Sequence, residues 1–158
     1  MKHWSSELPL RSLPHYAATI TLMLGVATGV TACASGAAGT SVVHAVYQID
    51  AGNEQASRAL RYLRNHLKAD PTAQLTVVAL GSGIDFLLRD AVDEGGYPYE
   101  LIVDDLVEQQ VRFEVCGNTL ETRGIAATRL IEHLAVVPSG MAEIARLQTQ
   151  SHYAYIKP

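Results

Sequence analysis

The chain holds 158 residues with a formal net charge of −4, 48 % hydrophobic and 18 % charged residues, and two cysteines. That length fits one domain with a sizeable core, and so few charges among so many aliphatic residues exclude a disordered chain. A sequence pI near 5.8 excludes a dedicated nucleic-acid binder, while two cysteines make neither a multi-bridge scaffold nor a four-Cys zinc site, leaving a Cys33–Cys116 disulfide as an open pairing.

The charge is unevenly distributed. Lys2, Arg11 and Glu7 are the only charged residues before Cys33, so the remainder carries 10 basic and 15 acidic residues, a net charge of −5. Tyr16 to Thr31 (YAATITLMLGVATGVT) is uncharged and follows Lys2, Arg11 and His15. A basic stretch before a short apolar one is the pattern of a secretory signal. Val30-Thr31-Ala32-Cys33 resembles the lipobox of bacterial lipoproteins, which implies cleavage before Cys33 and a lipid on that residue. Cleavage after Ala34 or Ala38, or retention of the segment as an anchor, are the alternatives; Gly and Thr make the segment a weak spanning helix. All three outcomes place the domain outside the cytoplasm, in the periplasm or cell envelope. Residues 1–33 thus read as signal, 34–41 as a flexible tether and 42–158 as the domain.

Val42 to Ile49 (VVHAVYQI) is a near-continuous apolar run ending at Asp50, the signature of a strand buried on both faces. Asn53 reads as the N-cap of a helix with Ala56, Leu60, Leu63 and Leu67 on one face, ended by Asp70-Pro71. Leu75 to Leu80 (LTVVAL) is a second buried strand, closed by Gly81-Ser82-Gly83. A helix is predicted over Ile84 to Val92, stopped by Gly95-Gly96, and another over Tyr99 to Gln110. Val111 to Cys116 (VRFEVC) alternates apolar and polar, which predicts a less central strand. A short helical piece follows, then a helical pattern from Arg123 to Glu132, a strand over Leu134 to Val137, a helix from Ser139 to Gln150 and a last strand over Tyr153 to Ile156. This alternation predicts an α/β fold: a three-layer sandwich with a mostly parallel sheet of about five strands flanked by helices.

Ligands of open α/β sheets bind beyond the carboxyl ends of the strands. That rule makes Asp50, Asn53, Gly81, Ser82, Gly83, Gly117, Asn118, Thr119 and Ser139 the candidate ligand-binding residues. Cys116 is the candidate catalytic residue. Asn118 and Glu121 have the spacing of a capping box, which predicts a helix N-terminus beside the sulfur and a favoured thiolate. A small buried hydrophobe at a strand end is the competing reading. Several chemistries find no pattern. There is no C-x-x-C and no G-x-S-x-G elbow, and Gly81-Ser82-Gly83 lacks a complete phosphate-loop signature. His44, His66, His133 and His152 have no metal-ligand spacing. Asp93-Glu94 and Asp104-Asp105 read as solvated helix faces. No metal and no cofactor is expected.

The stretches VVHAVYQID, ALRYLRNHL, LTVVALGSGIDFLL, VRFEVCGNTL and VVPSGMAEIARLQTQSHYAYIKP together resemble the DsrE/DsrF-like family of small α/β proteins linked to sulfur relay. The most specific are Phe113-x-Val115-Cys116-x-Asn118-Thr119-Leu120 and the Tyr155-Ile156-Lys157-Pro158 terminus. The resemblance implies a five-stranded parallel-type sheet and homo-oligomers, commonly trimers or hexamers. It also implies a persulfide on the residue matching the family's sulfur carrier, Cys116, served by a sulfur donor or acceptor protein. Two functions are therefore expected to compete: an envelope-located sulfur-binding or sulfur-relay protein, and a non-catalytic oligomeric binding module for a small ligand or protein partner. Neither involves nucleic acid, and the membrane enters only through a lipid on Cys33 or an N-terminal anchor.

Overall fold

Apolar residues alternate between the two faces of the first strand, so that strand needs cover on both sides. The computed structural model describes residues 41–158; the signal, the lipobox with Cys33 and nearly all of the tether lie outside the described residues. In chain order the elements are β1 (His44–Ile49), α1 (Asn53–Ala69), β2 (Gln74–Ala79), α2 (Tyr99–Glu108), β3 (Arg112–Cys116), α3 (Gly117–Thr122), β4 (Ala135–Val137), α4 (Gly140–Gln150) and β5 (Ala154–Ile156). Five strands form one sheet in the order β4-β3-β2-β1-β5, and every pairing is parallel.

One face of the sheet is apolar throughout. Ala45, Tyr47 and Ile49 of β1, Leu75, Val77 and Ala79 of β2, and Phe113 and Val115 of β3 pack under α1, α2 and the segment between β2 and α2. Phe86 anchors this layer, with its ring edge-on to Tyr99 and Phe113; burying each such ring contributes about 2–3 kcal/mol. The other face is covered by α4, and its apolar part is small: Val46, Val78, Ile144 and Leu147. Arg112, Glu114 and Cys116 alternate with Phe113 and Val115, so they occupy the α4 side. β3 lies inside the sheet, between β2 and β4. Its polar alternation reports a half-polar face and not a less central place, since β3 flanks the central β2 as β1 does.

Other expectations are corrected. Ile84 to Val92 forms no α-helix. A 3₁₀ run over Gly81–Leu87 gives way to isolated bridges, Leu88 to Leu130 and Val92 to Pro98, because Ile84, Phe86 and Leu87 must all bury against α1 and the sheet. Arg123 to Glu132 holds only a three-residue 3₁₀ turn, Ala127–Arg129; Leu130 and Ile131 enter the core through tertiary contacts. Asn53 is the first residue of α1, with Gly52 at the cap position. The first strand begins at His44, because Val42 and Val43 precede the pairing with β2 and stay exposed.

The C-terminal segment is fastened at the C-terminal edge of the sheet. Lys157 Nζ donates to Asp50 Oδ2 at 2.7 Å, and Gln48 Nε2 donates to the same oxygen at 2.9 Å. The Tyr155 hydroxyl donates to Gln48 Oε1 at 2.7 Å. The Lys157 ammonium, helped by Gln55 and Gln48, holds the Asp50 carboxyl below the usual carboxylate range, against the opposing effect of burial. The same partner raises the pKa of Lys157.

Two predictions follow from these contacts. A Cβ on Gly83 would overlap the Ile49 carbonyl, so Gly83→Ala is expected to cost about 3 kcal/mol in urea unfolding, as overpacking does. Because the Asp50 pKa is lowered, its pair with Lys157 stabilises at neutral pH and is lost as pH falls through the folded-state pKa. Lys157→Met should therefore lower stability at pH 7, and the difference from wild type should vanish below the ordinary carboxylate range. Urea titrations at several pH values read both.

Candidate functional site

Cys116 ends β3 and stands at the cap position of α3. Cap side chains ordinarily accept from the backbone N–H groups of the second and third helical residues. Those residues here are Asn118 and Thr119; the sulfur makes no cap hydrogen bond, but their N–H groups and that of Gly140 at the start of α4 lie near enough to favour its thiolate. The Thr119 side chain is the fourth such group. Burial opposes ionisation of the Cys116 thiol, but these four donors together hold its pKa below that of an ordinary thiol.

The orientation of Thr119 is set from β2. Gly81 N–H donates to Thr119 Oγ1 at 3.0 Å, which occupies an acceptor site of the hydroxyl and leaves its hydrogen free to donate. Gly81 adopts φ +58, and a Cβ there would stand 3.2 Å from the Asp50 carbonyl oxygen. The left-handed backbone and the close approach both require glycine. Arg123 Nη1 closes the loop by donating to Gly81 O at 3.0 Å and pairing with Asp85 at 2.7 Å.

The expected capping box does not form, because Asn118 lies inside α3. Its N–H also donates to Pro138 O at 3.2 Å, which ties α3 to the end of β4. Gly117 is the first residue of α3, and a Cβ there would press on the Val137 carbonyl at 3.1 Å. Ser139 acts as a helix cap, its Oγ accepting from Ala142 N–H at 3.4 Å. Asp50 and Ser82 form a neighbouring cluster: Ser82 Oγ donates to Asp50 O at 3.3 Å and accepts from Gly52 N–H at 3.1 Å. Gly83 lies against Ile49, beneath that cluster. Asn53 stands apart; its carbonyl accepts from the Tyr99 hydroxyl between α1 and α2.

Gly140 was not singled out in the sequence. A Cβ on it would meet Cys116 Cβ and Val78 Cγ1 at 3.2 Å each, so only glycine lets α4 begin against the sulfur. The sole local signal is the Ser139-Gly140 pair opening a helix, which reads as a cap. Cys116 is a free cysteine and 6 % exposed. Exposed Val136 and Met141 lie on the neighbouring elements, β4 and α4. Among the described residues no group of three His, Cys, Asp or Glu side chains could hold a metal ion, and no helix is long and apolar enough to cross a membrane. Of the histidines, His66 Nδ1 is hydrogen-bonded to the Tyr47 hydroxyl at 2.8 Å, and His44 packs against the Tyr153 ring.

The fold has solved counterparts. A Methanobacterium thermoautotrophicum protein of unknown function, MTH1491, is 34 % identical, covers 73 % of this chain and 99 % of its own, and superposes with a TM-score of 0.66. The Escherichia coli ychN protein is 17 % identical over 75 % of this chain and 100 % of its own, with a TM-score of 0.62. A conserved Bacteroides thetaiotaomicron protein of unknown function, BT1422, is 11 % identical over 73 % of this chain and 94 % of its own, with a TM-score of 0.56. The last two share the fold alone. No curated protein matches the chain. The DsrE/DsrF-like family model matches residues 40–158, and with the five-stranded parallel sheet described above the chain belongs to the DsrE/DsrF-like family.

Proposed function

We propose that this protein carries sulfane sulfur as a persulfide on Cys116, within a sulfur relay of the cell envelope. The observation that carries the reading is the place of Cys116 at the end of β3 and the cap position of α3, with Gly140 pressed against its Cβ and with nearby Thr119, Asn118 and Gly140 donors that lower its thiol pKa. Donors so placed stabilise an anion. In the loading step the Cys116 thiolate attacks the outer sulfur of a donor persulfide, R–S–SH. The new S–S bond forms as the donor's own S–S bond breaks, and the electron pair leaves with R–S⁻. The product is Cys116–S–SH, whose terminal sulfur ionises beside the same donors. No external oxidant or reductant is consumed. Family membership supports this chemistry, since DsrE-type proteins generally serve sulfur relay.

Location and assembly belong to the same proposal. The basic and apolar N-terminal pattern with its lipobox-like Val30-Thr31-Ala32-Cys33 supports export, with Cys33 as the lipid-bearing residue. Lipidation removes Cys33 as a resolving thiol, so Cys116 works alone. Exposed Val136 (49 %) and Met141 (56 %) support a homo-oligomer, a trimer or hexamer, that covers apolar surface on the elements flanking the sulfur. The second reading, a non-catalytic binding module in which Cys116 only packs, draws on its 6 % exposure.

Two measurements separate these readings. Incubation with a low-molecular-weight persulfide should add about 32 Da, one sulfur atom, to the peptide containing Cys116, and no such mass should appear in Cys116→Ala. A folded protein that stays unmodified by several donors would exclude sulfur carriage. Thr119→Val removes the oriented hydroxyl at constant shape and should slow alkylation of Cys116 at pH 7 about three- to tenfold, shifting the rate profile to higher pH. Thr119→Ser should restore the wild-type profile. A wild-type thiol no more reactive than a model thiol would favour the packing reading.

A further inference from the structure

The two helices that roof the apolar face of the sheet carry opposite charge. α1 holds Arg58, Arg61, Arg64 and Lys68 against Glu54, a net charge of +3. α2 holds Glu100, Asp104, Asp105 and Glu108 with no basic residue, a net charge of −4. Both helices connect parallel strands, so they run in the same direction, and the Arg64–Asp105 pair at 3.3 Å joins them side by side. That pair also fixes their levels. Counting about 1.5 Å per residue from it, Lys68 stands roughly one residue from the level of Glu108, and Arg61 roughly two from that of Asp104.

The helical period turns Arg61 and Lys68 away from the buried Ala59, Leu63 and Leu67, and turns Leu101, Asp104 and Glu108 away from the buried Ile102, Val103 and Leu106. Leu101 is 52 % exposed. Among the described residues Arg61, Lys68, Asp104 and Glu108 enter no ion pair. Within one copy, these outward charges have no partner.

We infer that the α1 and α2 face is an isologous, salt-sensitive interface between two copies of this chain. A two-fold axis along the seam between the helices keeps every level and exchanges left for right, so α1 of each copy lies on α2 of the other. Lys68 then meets the partner's Glu108, Arg61 meets the partner's Asp104, and exposed Leu101 is covered by the partner's α1. An axis across the helices would instead set α1 on α1 and α2 on α2, each pair with like charge. A surface of a single sign would match one helix and repel the other. The face measures about 20 Å by 20 Å and buries roughly 800 Å² in total, the size of a reversible contact. Charge complementarity therefore governs it more than area does. The residues of the Cys116 cluster, Val136 and Met141 take no part, so the interface stands apart from the sulfur chemistry and from the apolar patch beside it.

Sedimentation velocity of the full chain in about 0.1 M and about 1 M NaCl, between which the screening length falls from roughly 10 Å to roughly 3 Å, tests the pairing. Association is expected to weaken about tenfold or more at the higher salt. The double variants Arg61→Glu with Lys68→Glu, and Asp104→Lys with Glu108→Lys, each place like charges across the axis. Alone in low salt, each is expected to sediment as the wild type does in high salt. Mixed in equal amounts they restore opposite charges at both contacts and should regain the faster species. Should either variant lose its helical circular dichroism, carbodiimide crosslinking of labelled and unlabelled wild type decides, with a mixed-isotope peptide joining Lys68 to Glu108 expected. Salt-independent sedimentation, folded variants that associate as the wild type does, a mixture that regains nothing, or crosslinks confined to one isotope would overturn the inference and leave the face to a foreign partner.

Discussion

Gly81 N–H donates to the Thr119 hydroxyl at 3.0 Å, and the chemistry of the C-terminal edge hangs on that bond. It joins the end of the central strand to the short helix that begins at Cys116. It also fills one acceptor site of the Thr119 hydroxyl, which lies near the sulfur. Without it the hydroxyl could accept from elsewhere and offer the sulfur only a lone pair. The bond in turn requires Gly81 at φ +58, 3.2 Å from the Asp50 carbonyl for any added Cβ. A backbone conformation thereby helps place a group that lies beside Cys116.

The two faces of the sheet divide the work. The side under α1 and α2 is a continuous apolar layer that supplies most of the hydrophobic stabilisation. The α4 side has only a small apolar cluster and carries the chemically distinctive residues: Thr76, Arg112 and Glu114 toward one end of the strands, Cys116 at the other. The single helix α4 serves both. Its first residue, Gly140, faces the sulfur, while Glu143 and Arg146 further along, hydrogen-bonded to each other, lie near Glu114. Ionisable groups on a buried face cost free energy unless they are paired, and here they are, Glu114 with Arg112 and Glu143 with Arg146.

Hydrophobic pattern carried the strand and helix framework well where burial and period agree. The apolar runs of β1 and β2 sit between neighbours on both sides, and α1 buries the stripe of Ala56, Leu60, Leu63 and Leu67. Pattern misled where several apolar residues close together are buried by different neighbours. Ile84, Phe86 and Leu87 mimic a helical face but are packed as a 3₁₀ run, and Leu130 with Ile131 reaches the core from an irregular segment. In β3 the alternation was correctly detected and its cause misassigned, since a polar face and a less central strand leave the same trace.

Taken alone, the sequence determined the α/β class, the parallel sheet, the place of Cys116 at a strand end and the family, because these depend on local period and on residues adjacent in the chain. Tertiary structure alone decided what surrounds the sulfur. Gly140 is a neighbour of Cys116 from 24 positions away, and Gly81 sets Thr119 from 38 positions away. Parallel connections bring distant strand ends side by side, and no linear pattern encodes which N–H groups then meet one atom. The cap at Cys116 itself needed coordinates too, since the Asn118 and Glu121 spacing allowed a different helix start.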